Sequence, residues 1–199
     1  MRRSAFAFVI LSWLTAGLGA TAGAQDPETS WIDFARLADG QVQLKSQGES
    51  RGTVTIDLAI EIDADWQAIW NILTACEISP EYVPHVLACS RIATSDSGNS
   101  ELFMQTVKPA FFLPKFDHVF RLEYSPPERI EVSHVSGPID RMDGHWLLLP
   151  QPNGRIALVH RMTVKPGFPV PRMFVRNTLE DELPEVLREI RRRAESASD

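Results

Sequence analysis

Between residues 86 and 165 the chain reads as six short segments of strand character, each closed by a turn signal before the next begins. The segments span about 86–94, 100–108, 116–124, 129–136, 144–149 and 155–165. Between them stand SDSGNS, PAFFLPK, SPPE, GPIDRMD and PQPNG, built from the residues that turns use. Links this short leave no room for crossover helices, so the strands must run antiparallel as a meander. One further strand precedes them: Val54, Ile56, Leu58, Ile60 and Ile62 alternate with Thr53, Thr55, Asp57 and Glu61, the period of a half-buried strand. After KPGFPVP the period becomes helical. Val175, Leu179, Leu183, Val186, Leu187 and Ile190 form one apolar stripe on a helix of roughly 25 residues, about 37 Å long. Pro171 suits its first turn, and Pro184 is expected to kink or split it.

Two shorter helices complete the pattern. Asp63 or Asp65 can cap a helix whose stripe is Trp66, Ile69, Trp70 and Leu73, and WIDFARLAD (31–39) reads as a short amphipathic helix ended by Gly40. The order is that of an α+β helix-grip fold: a curved antiparallel sheet of about seven strands around a long C-terminal helix, with a cavity left between them.

Met1-Arg2-Arg3, the apolar run AFAFVILSWLTAGLGA and the small residues Ala22-Gly23-Ala24 have the three parts of a secretory signal peptide, with cleavage expected after Ala24. Gly17, Gly19 and Gly23 break the run short of a membrane span, and no later segment is long and apolar enough for one. The reading is an exported protein, periplasmic or secreted, with a mature chain from Gln25. Removing 1–24 leaves 18 basic against 26 acidic residues, a net charge of −8. That balance disfavours nucleic acid and anionic membrane surfaces as partners, which reward a basic face. The basic run at 191–193 is expected at the end of a helix, where cations complement the dipole.

Both cysteines, Cys76 and Cys89, lie in LTACEISPEYVPHVLACSRI (73–92) around His85 and two prolines. Three of these residues are zinc-ligand types, but the spacing matches no common structural site and a fourth ligand is not evident, so no metal is expected. In an exported chain a lone cysteine pair is more simply a disulfide; two buried free thiols are the alternative.

WQAIWNILTACEISPEYVPHVLACSRI, DRMDGHWLLLPQPNGRIALVHRMTVKPG and the C-terminal helix together resemble the START-like superfamily (SRPBCC), the polyketide cyclase/dehydrase and lipid-transport group that includes coenzyme-Q-binding proteins. The resemblance covers about 50–195, leaving 25–49 as an N-terminal extension. It implies the fold and an apolar ligand such as a lipid, quinone or polyketide-like molecule; it implies no shared catalytic set and no cofactor. It also leads to the expectation of a tyrosine inside the last strand, where this chain has His160.

Alternation assigns the inner face of the sheet. His118, Phe120, Leu122 and Tyr124 share it, with Phe120 expected opposite His134, His118 opposite Ser136, Trp146 between His134 and Leu158, and His160 opposite Gly144. The expected ligand wall is Phe103, His118, Phe120, His134, Trp146, Leu158, His160 and Met162, facing Val175 and Leu179 of the helix. Three strand spacings put His118 and His160 about 14 Å apart, too far for one metal. Leu147 and Leu149 fall on the outer face and need a cover, for which the helix carrying Trp31, Phe34 and Leu37 is the candidate. No nucleophile elbow, phosphate loop or paired carboxylate appears, which favours a carrier of one apolar ligand. The alternatives are a cyclase or dehydratase using His118, His134 or His160 as acid or base, and an interaction module with a filled core. The sequence leaves the ligand, any protein partner and the oligomeric state open.

Overall fold

The computed structural model describes residues 27–48 and 52–198; the proposed signal peptide and the start at Gln25 lie outside the described residues. The chain divides into two units between Trp31 and Ile32. In the first, residues 27–31 form a turn in which the Trp31 indole N–H donates to the Glu28 carbonyl (2.9 Å).

The second unit holds three α-helices and eight strands among its described residues: α1 (Phe34–Ala38), β1 (Gln43–Gly48), β2 (Val54–Ile62), α2 (Trp66–Thr74), a 3-10 turn over Cys76–Glu81, β3 (Val86–Thr94), β4 (Ser100–Val107), β5 (Phe116–Ser125), β6 (Arg129–Ser136), β7 (Ile139–Pro150), β8 (Ile156–Pro166) and α3 (Arg172–Ser198). The strands make one curved antiparallel sheet in the order β1-β2-β8-β7-β6-β5-β4-β3, and α3 packs on β2. This is the helix-grip arrangement, with eight strands rather than about seven. The additional strand, β1, pairs along β2 at the sheet edge. Its sequence, QLKSQG, has one apolar residue and so carries no alternating signal.

Local chemistry sets the helix starts. The Asp33 carboxylate accepts from the backbone N–H of Ala35 and Arg36, so α1 begins three residues after Trp31. Asp65, not Asp63, caps α2 through the Ala68 N–H (2.8 Å). Helix α3 runs through Pro184 without a break and continues past the basic run at 191–193. Arg192 and Arg193 there pair with Glu189, so these cations answer a carboxylate on their own helix rather than its end.

Ile56, Leu58, Ile60 and Ile62 of β2, Leu148 and Leu158 meet Val186, Leu187, Ile190 and Ala194 of α3 and Ile69 and Ile72 of α2 in the main core. A second cluster gathers Phe103, Leu122, Ile130 and the two cysteines. Trp146 packs against both. The outer face is covered too: every residue of β2 is buried, and α1 lies over β2 with Leu37 fully buried. The helix therefore covers β2 rather than Leu147 and Leu149 specifically; Leu147 is buried and Leu149 half-buried.

The β6–β7 and β7–β8 registers differ from the expected ones by even steps. Phe120 faces His134 as expected, but Trp146 faces Ile130 and His160, not His134 and Leu158, and Gly144 faces Met162 rather than His160. Ser136 lies opposite Val119 instead of His118, because the β5–β6 ladder is irregular between Val119 and Phe120. Even slips keep each residue on its face while changing its row. The β6–β7 pairing stops at Ser133–Asp143, although β6 continues to Ser136 and β7 starts at Ile139. The two strands part there: Ser136 stays with β5, and Ile139 pairs with Pro166 of β8.

Candidate functional site

Where β6 and β7 part, an apolar cavity of about 200 Å³ opens between the sheet and the first turns of α3. Its walls come from three sources. Val107, Pro109, Leu113 and Phe116 frame the β4–β5 link, Ile139, Val164, Pro166, Phe168 and Val170 surround the approach to α3, and Phe174, Val175, Thr178 and Leu179 close it from above. Thr178 is the one hydroxyl in this lining. Phe111 and Phe112 stand beside the opening and are 90% and 59% exposed, with Phe112 edge-on to the lining Phe174 (5.7 Å between ring centroids).

Helix α3 serves two purposes along its length. Beyond Pro184, Val186, Leu187, Ile190 and Ala194 are buried in the core; before it, Phe174, Val175 and Leu179 line the cavity, and Leu179 and Leu183 also pack against the core. Proline has no N–H to donate to the carbonyl four residues back, so the helix is weakest between these halves. The first half is tied down by polar contacts: the Ser46 hydroxyl donates to the Glu180 carboxylate, and His85 Nε2 lies 2.8 Å from Glu182 Oε1. The Ser46 hydroxyl and the Arg176 guanidinium hold the Glu180 carboxyl below the ordinary carboxylate range. His85 thus meets α3, while Cys76 and Cys89 are joined as a disulfide with Cα atoms 5.5 Å apart.

The structure separates the expected wall residues. Val175 and Leu179 line the cavity. Phe103 and Leu158 are fully buried core residues, and Met162 is partly buried against the main core. Trp146 and His160 stack face to face with centroids 3.7 Å apart, and His160 Nδ1 lies 3.1 Å from the His145 carbonyl. Burial drives the His160 imidazole down to about 3, against the upward pull of that backbone bond. Neutral His160 must therefore donate from Nδ1, since a carbonyl can only accept.

His118 is placed differently. It follows Phe116, a cavity wall, on the same face of β5, with the two rings 6.2 Å apart, and stacks on Phe120 at 5.7 Å. It is 3% exposed. Desolvation, with neighbouring His134 adding to it, lowers its imidazole to about 4. With β6 and β7 between β5 and β8, His118 and His160 stand three strand spacings apart. His118 thus lies behind the wall residue Phe116, with His134 near enough to act on its charge, and neither ring lines the cavity itself; His160 belongs to the core. The fifth histidine, buried His145 on the outer face, accepts from Arg129 (3.1 Å) and was not singled out by the sequence.

Most of the cavity wall was also missed by periodicity, because it comes from Pro/Phe-rich links. The signal available was composition: PAFFLPKF and PGFPVPRMFV place aromatic and apolar residues in links that turns would normally make polar. A larger open depression of about 790 Å³ lies elsewhere, among Glu61, Asp63, Asp65, Arg155, Arg191 and Glu195. Its charges are in part paired with one another, as Arg155 is with Glu61 and Asp63. It is a polar surface groove without the apolar wall of the cavity.

Comparison with known proteins gives a consistent picture. A STAR-related lipid transfer protein from Xanthomonas axonopodis superposes with a TM-score of 0.64 at 16% identity, covering 76% of this chain and 92% of that one. A START superfamily protein from Mycobacterium smegmatis gives 0.61 at 18% identity, over 72% and 98%. The Zhui aromatase/cyclase from Streptomyces sp. R1128 gives 0.57 at 14%, over 79% and 98%. These likenesses establish the fold. A comparison with curated protein sequences returns no match. Residues 62–191 match the family described as polyketide cyclase/dehydrase and lipid transport, and the chain belongs to that family.

Proposed function

We propose that this protein is an exported binding or carrier domain that holds one apolar molecule, of lipid, quinone or polyketide-like character, under the first half of α3. The observation that carries the reading is the cavity lining: twelve of its thirteen residues are apolar, and buried His118 lies against one of them, Phe116. An apolar wall with few polar groups at one end is how proteins hold a greasy body and orient its head. The described cavity is smaller than the ~300–1,000 Å³ of drug-sized sites. A lipid body therefore requires the first half of α3 to lift, releasing its contacts at Glu180 and Glu182 and bending where Pro184 leaves a carbonyl without its backbone donor. The Phe111–Phe112 pair beside the opening offers an apolar path for the cargo.

The enzymatic alternative has one observation in its favour: His118 stands neutral beside the cavity. A histidine lowered to about 4 is a weak base, however, poorly matched to proton abstraction near neutral pH. Carriage accounts for the same residue without that mismatch. Mass analysis of an organic extract of the purified protein tests the reading. A co-purifying apolar compound at near one equivalent is expected. A protein that yields no extract and binds no neutral apolar probe when offered one is not a carrier.

A further inference from the structure

His118 has a defined tautomer. Gln105, its partner across the β4–β5 ladder, directs its Nε2 toward Cys89 Sγ (3.9 Å) and its Oε1 to His118 Nε2 (2.9 Å). A carboxamide oxygen only accepts, so His118 Nε2 carries the hydrogen. Burial keeps the ring neutral, and Nδ1 is left as a bare lone pair. That nitrogen is buried and has no hydrogen-bond partner among the described residues, and the same is true of Nδ1 of His134. A buried acceptor with no partner carries a desolvation cost that a protein does not ordinarily leave unanswered. The β6–β7 turn comes close to this residue only because position 137 is a glycine: a methyl there would lie 2.7 Å from the His118 Cβ.

We propose that His118 Nδ1 accepts a hydrogen bond from the head of the bound molecule, so that the cavity selects an apolar body ending in a hydroxyl, an alcohol or a phenol, over its ether or ketone counterpart. The inference rests on the carrier reading above and adds the class of ligand. A ketone or an ether has no hydrogen to offer His118 and leaves its lone pair unanswered.

Matched ligands test this by displacement of a neutral fluorescent probe, N-phenyl-1-naphthylamine, from the full mature chain: 4-octylphenol against 4-octylanisole and octanophenone. The phenol should bind about tenfold or more tightly than either, the range expected when a buried acceptor is satisfied or left bare. His118→Leu should bring the three within about twofold. His118→Asn, which can return an oxygen acceptor near the Nδ1 position, should restore part of the preference. Nitrogen-15 chemical shifts of His118 in the parent protein give a readout that needs no variant to fold, and Nδ1 should be the unprotonated nitrogen. Equal binding of phenol and ether, tighter binding of the ketone, or a hydrogen on Nδ1 would overturn the proposal while leaving the carrier reading intact. Failure of the probe and all three ligands to bind would remove both.

Discussion

His160 lies flat against Trp146, its ring centroid 3.7 Å from the indole, and is itself buried. Its burial makes His160 a liability in acid. In the unfolded chain an imidazole titrates near 6.5, whereas His160 in the fold is lowered to about 3 and His118 to about 4. Below pH 6.5 the unfolded state binds protons that the folded state refuses. Stability therefore falls as the pH drops from 6.5 toward 4, and these two groups leave it unchanged above that window.

Each histidine should remove about 2 kcal/mol between pH 7 and pH 5. Urea midpoints of the parent and of His160→Phe at the two pH values check this. The variant should lose about 2 kcal/mol less on acidification; equal losses would mean that His160 is protonated inside the fold.

The Cys76–Cys89 disulfide ties the turn after α2 to β3 across 13 positions. Closing a loop of that size is worth about 3 kcal/mol by the chain-entropy argument. The double variant Cys76→Ala/Cys89→Ala should be less stable by roughly that amount in urea. Alkylation of the oxidised protein without reductant should leave its intact mass unchanged; two alkyl groups taken up would contradict the bond.

The export reading predicts a mature chain that begins at Gln25, as judged by N-terminal sequencing of protein recovered from the periplasm or medium. A retained Met1, or protein that stays with membranes after carbonate extraction, would contradict it. Among the described residues no helix is long and apolar enough to cross a membrane.

At the cavity mouth, Phe111 and Phe112 are exposed, so replacing both with serine should change stability by less than about 0.5 kcal/mol each. If they give the cargo its path, transfer of a fluorescent apolar probe from vesicles should slow several-fold. An unchanged transfer rate with unchanged affinity would assign them no part in exchange.

The division between what could be read in the sequence and what could not follows from periodicity. Strands β2 and β8 and the apolar stripe of α3 announce themselves because each repeats its burial many times. The same alternation put Phe120, His134, Trp146 and His160 on the inner face even though two hairpin registers slipped, since a slip of two or four residues preserves the face. Rows are another matter. They depend on where a turn closes, and the early parting of β6 and β7 at Ser133–Asp143 has no signal in GPIDRMD. The cavity wall was hidden for a related reason. Val107, Leu113, Phe168 and Val170 sit at strand ends and in links, where nothing repeats, so the strongest inward positions, Phe103 and Leu158, turned out to fill the core.

We place the bound apolar molecule, as proposed, in the space between Phe116, Val164 and the first half of α3. Filling that space is the most direct test. Val175→Phe adds bulk to the wall without removing a core contact beyond Pro184, so the fold should persist, as judged by an unchanged circular-dichroism spectrum and a cooperative melt. Titration of parent and variant with N-phenyl-1-naphthylamine then gives the answer. The account predicts at least a tenfold loss of probe affinity in the folded variant; equal affinity in both proteins would show that the ligand lies elsewhere.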